Sequence, residues 1–464
     1  MGNNADFDIV VIGGGSAGLG AARTARRRGA AVALVEAGRI GGDCTFSGCV
    51  PSKALLEAAH RGLGFAEAME SVRRAVEEVA AGEDEAAITR EGITVVPGLA
   101  RLAGRGMVEV EGRRINARRA VVIATGASPA VPPIPGLAGA DFLTNENLFG
   151  LERLPASLAI LGGGPIGVEM AEAFALLGSR VSVLEAMDRL LPREEPEASE
   201  IVERSLRLLG VEVRTGTPVH EVRSVGPRCL EISVAGGPPL RTEAMLVAVG
   251  RVPASGGVGL EEAGVALDAR GFIRVDAHLR TSLRDVYAAG DVASPLQFTH
   301  VAYRTGAISA INALSPVPLA RFRPEFIPAV TFTSPEVARI GVMEAEAPPG
   351  ARVAYLPMSE VDRAVAARRT EGFVKLIAGP RTLTRHLAAG RILGATIVCE
   401  RAGEMLAEPA LAMCTSMFAA RLALTVHAYP TWSTAVQQAA AQLLGDGYGG
   451  RRARVLHKQA GQGA

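Results

Sequence analysis

At 464 residues the chain is longer than one ordinary hydrophobic core supports, so two to four domains are expected. Apolar residues make up 48% and charged residues 21%, a globular composition, and the formal net charge is +1. That near-neutral balance argues against nucleic acid or an acidic membrane surface as a partner, because both select basic faces.

The residues open MGNNADFDIVVIGGG, so a strand is expected almost at once. No basic stretch followed by an apolar one marks a signal peptide, and no run approaches the ~18 apolar residues that span a bilayer. Asp6 stands where a myristoylation signal wants serine or threonine. A cytoplasmic protein without membrane insertion is the expectation. Five cysteines in so long a chain do not make a secreted disulfide framework, and a close pair in a reducing compartment reads as catalytic. Lysine occurs only at Lys53, Lys375 and Lys458 among many arginines, which makes each lysine informative.

In chain order, the first unit is DIVVIGGGSAGLGAARTARRRGAAVALVE, Asp8 to Glu36: a buried strand, a glycine turn, a helix, and a strand ending in an acid. Gly13, Gly15 and Gly18 form GxGxxG, whose backbone can approach a pyrophosphate at a helix N-terminus. Glu36 is placed to accept hydrogen bonds from a ribose hydroxyl. An Ala/Glu-rich helical stretch, 65–91, and strand-like runs (ITVVPGL, GMVEVEG, RAVVIATG) follow. The second unit, LAILGGGPIGVEMAEAFALLGSRVSVLE, repeats the logic with Gly162, Gly164, Gly167 and Glu185. A carboxylate at Glu185 repels a 2′-phosphate, so NADH is expected over NADPH, with Arg189 able to soften the preference. VEVRTGTPVHEV and MLVAVGRVP continue this unit, and a helix is expected near Thr299. A Pro-rich linker spans 316–328. The strands AVTFTS, GFVKLIAG and ILGATIV then alternate with the helices AGEMLAEPALAMCTSMFA and TAVQQAAAQLL. The residues from Gly445 read as frayed.

The segment GGDCTFSGCVPSK, Gly41 to Lys53, carries the chemistry. Structural zinc wants four ligands, and no second Cys/His pair follows Cys44 and Cys49, so no metal site is expected. In an ideal helix residues five apart have Cα atoms ~8–9 Å apart, whereas a disulfide tolerates at most ~7 Å. Bridging the pair therefore requires a distorted first turn, which Gly48 permits. A helix N-terminus also favours the thiolate.

These residues resemble the redox-active motif of the class I pyridine nucleotide-disulfide oxidoreductases, which include dihydrolipoamide dehydrogenase, glutathione reductase and mercuric reductase. The resemblance extends over almost the whole chain, through both glycine motifs, ATG at Ala124 to Gly126, VGR at Val249 to Arg251, and TSLRDVYAAGD ending at Asp291. It implies an α/β fold with two Rossmann-like domains and a C-terminal α+β dimerisation domain. The boundaries expected are 1–149 and 281–325 for the FAD domain, 150–280 for the NAD(P) domain, and 326–464 for the interface domain. It further implies Cys44 as the interchange thiol, Cys49 against the flavin, and Lys53 near flavin N5, ion-paired with Glu169. Asp291 would hold the ribityl chain, and Thr299 and His300 would face the pyrimidine edge. Gly42, Asp43, Ala100, Thr125 and Gly126 would complete the FAD contacts, and Gly250 those to NAD. The implied partner is a second copy of the chain, sharing the active site.

The sequence departs from this pattern near its C-terminus. Disulfide-reducing members carry a His-Pro-Thr segment with Glu five residues after the His, and here it reads HAYPTWST, His427 to Thr434. Tyr429 takes the base position and Thr434 that of the orienting Glu. Tyrosine, with a pKa of ~10, is a poor base at neutral pH but can donate a proton. His427 lies two residues earlier, too distant to substitute without a shift. Mercuric reductases also carry tyrosine there, yet RRARVLHKQAGQGA lacks their C-terminal cysteine pair, which speaks against mercury. Cys229, Cys399 and Cys414 are single and read as buried structural thiols. The expectation is hydride transfer from NADH through FAD to Cys44–Cys49, and on to a small-molecule acceptor needing no His base: a quinone, a metal ion or an unusual disulfide. The alternatives are a dihydrolipoamide-dehydrogenase-type dithiol/disulfide reaction and a redox sensor without turnover.

Overall fold

The computed structural model describes residues 6–380, 387–445 and 453–456. Its first sheet is built on Phe7–Ile12, whose Ile9, Val10 and Val11 are fully buried, as a strand covered on both faces requires. Val32–Glu36 and Arg113–Ile123 flank it in parallel, Thr94–Pro97 extends one edge, and Val286–Ala288 pairs with Arg113–Ile123. The N-terminal half of Arg113–Ile123 continues into an antiparallel meander with Met107–Val110 and Ala100–Gly104. The expected 65–91 helix is two, Phe65–Ala81 and Glu85–Arg90, the second capped by the Asp84 carboxylate accepting from Ala87 N–H at 2.7 Å.

The second unit is a four-stranded parallel sheet in the order Glu212–Arg214, Arg180–Leu184, Ser157–Leu161, Ala244–Val247, beside a three-stranded antiparallel sheet. Arg251–Pro253 then pairs with Ala127–Pro129, and Val258, Leu260, Val265 and Ile273 lie in the core of the first sheet. We therefore draw the return to the first unit near Ala254 rather than at residue 281. A third, six-stranded antiparallel sheet holds Ala329–Thr331, Glu336–Gly341, Arg391–Cys399, Phe373–Gly379, Arg352–Pro357 and Arg454–Val455 in that order. The last strand corrects the expectation of a frayed end at that point, because its backbone pairs with Arg352 and Val353.

Two features position the site. Helices Ser16–Arg27 and Thr299–Leu314 pack backbone to backbone: a Cβ on Gly20 would stand 2.3 Å from the Tyr303 carbonyl oxygen, and one on Gly306 2.0 Å from that of Ala17. This contact brings the start of the Thr299 helix beside the first glycine turn. Lys375, 2% exposed, sits between the second unit and the third sheet. Its ammonium lies 2.7 Å from Glu197, 3.1 Å from Glu344 and 3.2 Å from Glu195. A buried cation needs such partners, and these fix one unit on the other.

Candidate active site

The two glycine turns have the same construction. Gly13 has φ +104° and Gly162 φ +107°, and a Cβ there would strike the carbonyl of Ala124 or Ala248. A Cβ on Gly18 would stand 1.8 Å from the Gly13 oxygen, and one on Gly167 1.9 Å from the Gly162 oxygen. The acids are seated alike. Glu36 accepts from Gly14 N–H at 2.5 Å and Gly38 N–H at 2.7 Å, and Glu185 from Gly163 N–H at 2.6 Å and Met187 N–H at 2.7 Å. Arg189 faces away from this position, its guanidinium donating to the carbonyls of Pro192 and Glu194 and to Ser199.

The first turn leads directly to the cysteines. Gly41 N–H donates to the Gly14 carbonyl at 2.9 Å, and Gly15 and Gly42 lie backbone against backbone. Cys44 belongs to the short helix Gly42–Phe46, and Cys49 opens the helix Cys49–His60. The expectation of one distorted turn is thus corrected to a break between two helices at Ser47 and Gly48. A Cβ on Gly48 would stand 2.8 Å from the Asp43 oxygen, so glycine lets the break close. The two cysteines are unbridged and act on each other electrostatically, and the Cys49 Sγ lies 3.2 Å from Thr299 Oγ1. The neighbouring Cys44, with help from Thr299 and Lys53, brings Cys49 down to about 6. Cys44 is pushed up by the neighbouring Cys49 and by burial. The two shifts favour the thiolate at Cys49. Thr45 Oγ1 donates to Glu83 at 3.0 Å, which ties the turn between helices Phe65–Ala81 and Glu85–Arg90 to the short helix of Cys44.

Lys53 Nζ lies 2.7 Å from Glu169 Oε2 and 4.5 Å from the centre of the Phe332 ring. Glu169 is 4% exposed and accepts Phe332 N–H on its other oxygen. Arg251 bonds Asp43 and the Ala127 carbonyl and approaches Asp291 at 3.8 Å. Burial pushes the Asp291 carboxyl up to about 6 despite Arg251. Thr125 Oγ1 donates to the Ala254 carbonyl, and Gly126 and Gly250 leave open space where a Cβ would be. Ala100 begins the meander strand next to the loop whose Gly98 N–H donates to the Glu36 carbonyl. The His300 side chain is directed to the Pro328 carbonyl at 2.9 Å and stacked on Phe298, so what this helix start offers a ligand is backbone N–H groups.

In the C-terminal segment Tyr429 is 73% exposed, and its hydroxyl donates to Asp362 at 2.8 Å, which raises the phenol above its ordinary value. His427 is bound at both ring nitrogens, to the Thr425 carbonyl at 2.9 Å and Glu408 at 2.8 Å. Burial pushes this imidazole down, but Glu408 and the carbonyl outweigh it and the net shift is upward. Thr434 is buried at a helix start, donating to the Thr431 carbonyl. Of the single cysteines only Cys399 is buried; Cys229 is half-buried and Cys414 exposed, which corrects the reading of all three as buried.

Residues 7–306 match the model of the pyridine nucleotide-disulphide oxidoreductase family, and 327–440 that of its dimerisation domain. The chain belongs to this family. It is 36% identical to a mercuric reductase of Streptomyces lividans over 95% of this chain and 97% of that one. A dihydrolipoyl dehydrogenase of Thermus scotoductus is 34% identical over 98% of each. The HOCl-induced flavoprotein disulfide reductase RclA from Escherichia coli, solved as a Cu(II) complex, superposes with a TM-score of 0.84 at 30% identity, over 92% of this chain and 98% of that one.

The protein is accordingly an FAD-dependent pyridine nucleotide-disulphide oxidoreductase using FAD and NAD(P)H. Its residues fit FAD. The Arg251 Nε is buried without a hydrogen-bond partner between two carboxylates, and the Gly15–Gly42 contact leaves a surface of bare backbone at a helix start. The Gly164 turn, where a Cβ would meet open space, fits the nicotinamide nucleotide. No helix among the described residues is long and apolar enough to cross a membrane. Arg251 is the site residue that sequence reasoning passed over. VGR was legible, but the side chain that bridges Asp43 and Asp291 is its arginine.

Proposed function

We propose that this chain oxidises NADH and passes the electrons from Cys44 and Cys49 to an acceptor that needs no thiol base, foremost a thiophilic metal ion and otherwise a quinone. The observation that carries this reading is Tyr429. At the place of the histidine base stands an exposed phenol whose proton is directed to Asp362. Bound FAD supplies the relay between the nicotinamide and the thiols. The chain's own residues do the rest. Cys49 holds a thiolate at neutral pH, and Lys53, paired with Glu169, keeps positive charge beside it. Cys44 retains its proton until an acceptor replaces it. Oxidation of the Cys49 thiolate and the Cys44 thiol to a disulfide releases two electrons and one proton. These electrons reduce one Hg(II) to Hg(0), two Cu(II) to two Cu(I), or, with the Cys44 proton and one from water, one quinone to a hydroquinone. The Streptomyces lividans relative named a mercuric reductase and the Cu(II) complex of RclA support a thiophilic metal ion, and the cysteine-free segment RRARVLHKQAGQGA favours copper over mercury.

The match to the dimerisation domain supports a homodimer, in which we place Tyr429 of one subunit at Cys44 of the other. Leu424, Val426 and Tyr429, exposed at 75%, 93% and 73%, give this segment an apolar face suited to a partner.

A second reading has its own observation. His427 and Glu408 form a histidine–carboxylate pair, the acid coming from another helix instead of five residues downstream. It favours disulfide reduction of the dihydrolipoyl dehydrogenase kind. An anaerobic titration with NADH, followed by Hg(II), Cu(II), a quinone, lipoamide and glutathione disulfide, separates the two. Fast metal or quinone reduction beside slow disulfide turnover is expected. Efficient lipoamide turnover, undiminished by Tyr429→Phe and lost in His427→Ala, would establish the second reading.

A further inference from the structure

Two carboxylates on one face of helix Pro165–Leu176 each hold two other parts of the chain. Glu169 binds Lys53 of the cysteine helix at 2.7 Å and the N–H of Phe332 at 2.9 Å. One turn along, Glu172 binds His60 of the same cysteine helix at 2.9 Å, and Ser334 N–H at 3.0 and 2.9 Å. The spacings match. Phe332 and Ser334 lie in the bend between strands Ala329–Thr331 and Glu336–Gly341 and both turn their N–H groups to this helix, where Glu169 and Glu172, three apart, share a face; Lys53 and His60 are two turns apart on theirs. Glu169 and Glu172 are 4% and 1% exposed, so neither carboxylate has water as a substitute partner. Glu172 raises the imidazole of His60, with Glu57 acting in the same direction and Arg369 against it.

We propose that His60 and Glu172 are positioning residues for flavin reduction. They form a second strap, parallel to Lys53–Glu169, that fixes the cysteine helix against the nicotinamide-motif helix and against residues 332–334. The helix that begins at Gly164 orients the nucleotide, and the helix that begins at Cys49 carries the thiolate and the lysine. Leu55, Leu56 and Ala58 already pack with Val168, Met170 and Ala171 in one core, and two polar straps, set two turns apart on the cysteine helix, fix the crossing of the helices more tightly than that apolar contact and a single strap. A displacement of about 1 Å between reacting groups costs as much as 10²-fold in rate, so fixing that crossing has a kinetic consequence. The inference concerns electron entry from NADH and does not depend on which acceptor follows.

The test uses the FAD-loaded enzyme without acceptor. His60→Ala and Glu172→Ala should slow flavin reduction by NADH about tenfold or more while leaving the Kd for NADH unchanged. The double variant should be no slower than the slower single one, because both remove the same strap. Amide exchange over residues 332–334, read by mass spectrometry, should quicken. The pH profile of Cys49 alkylation in the reduced enzyme should shift upward as Lys53 loses its register. His60→Gln, which keeps a donor, should recover part of the rate. A drop in Tm with the reduction rate, exchange and alkylation profile all unchanged would overturn the proposal and leave the pair as structural. Should the alanine variants fail to fold, Glu172→Gln keeps the shape without the charge, and wild-type values in all three measurements there would overturn it equally.

Discussion

The two glycine motifs of this chain are near copies in local geometry and unlike in everything around them. Turn angles, the clash a Cβ would meet, and both hydrogen bonds to the terminal acid agree between Gly13–Glu36 and Gly162–Glu185. Their helices, however, make different contacts. Ser16–Arg27 is rich in alanine and glycine and packs closely through glycine and alanine against Thr299–Leu314, which brings Thr299 to Cys49. Pro165–Leu176 carries Glu169 and Glu172 and holds the cysteine helix through charge. The turn offers the same backbone cradle in either setting, and the sequence of the following helix decides which part of the molecule meets it.

The largest test of that division is one substitution made in both copies. Gly18→Ala and Gly167→Ala introduce the same clash, at 1.8 and 1.9 Å from a carbonyl oxygen. Gly18→Ala is expected to give protein that purifies without FAD. Gly167→Ala should remain yellow and lose reduction by NADH by two orders of magnitude or more. Loss of flavin in both, or in neither, would show that the copies are not divided between FAD and nicotinamide.

A smaller, spectroscopic effect belongs to the cysteine helix. Two-electron reduction should produce a long-wavelength band from the Cys49 thiolate against the flavin. Because Cys49 is lowered to about 6, the band should grow as pH rises through about 6 and fade below it, where the thiol is protonated. Cys49→Ser should abolish it and Cys44→Ser should retain it. Persistence in the Cys49 variant would reverse the assignment of the two thiols.

How much of this was legible follows from the range of each interaction. Gly13, Gly18, Glu36 and their second copies act within one βαβ unit, where turn and strand spacing dictate the partners, so the pattern alone located them. Lys53 and Glu169 were paired by resemblance, and their ion pair stands at 2.7 Å. The contacts the sequence did not disclose join distant segments without periodicity. Arg251 reaches Asp43 across 208 positions, Glu172 meets Ser334 across 162, and Tyr429 meets Asp362 across 67. Asp362 lies upstream of the motif, on a helix of its own, whereas the pattern directed attention to Thr434, whose hydroxyl is spent on Thr431.

The smallest effect separates the two acids, Glu36 and Glu185, by what lies beside them. We propose NADH as the substrate because Glu185 is fixed by two backbone N–H groups at the end of its strand, where a 2′-phosphate would meet a carboxylate. The adjacent cation does not offset this, since Arg189 spends its guanidinium on Pro192, Glu194 and Ser199. Removing that repulsion with Glu185→Ala should narrow the NADH preference in kcat/KM by roughly tenfold, the effect of about 1.4 kcal/mol. Arg189→Ala should leave the preference unchanged while lowering Tm, because the arginine holds its loop and not the nucleotide. A wild-type preference for NADPH that disappears in Arg189→Ala would show that the guanidinium leaves those carbonyls to bind the phosphate.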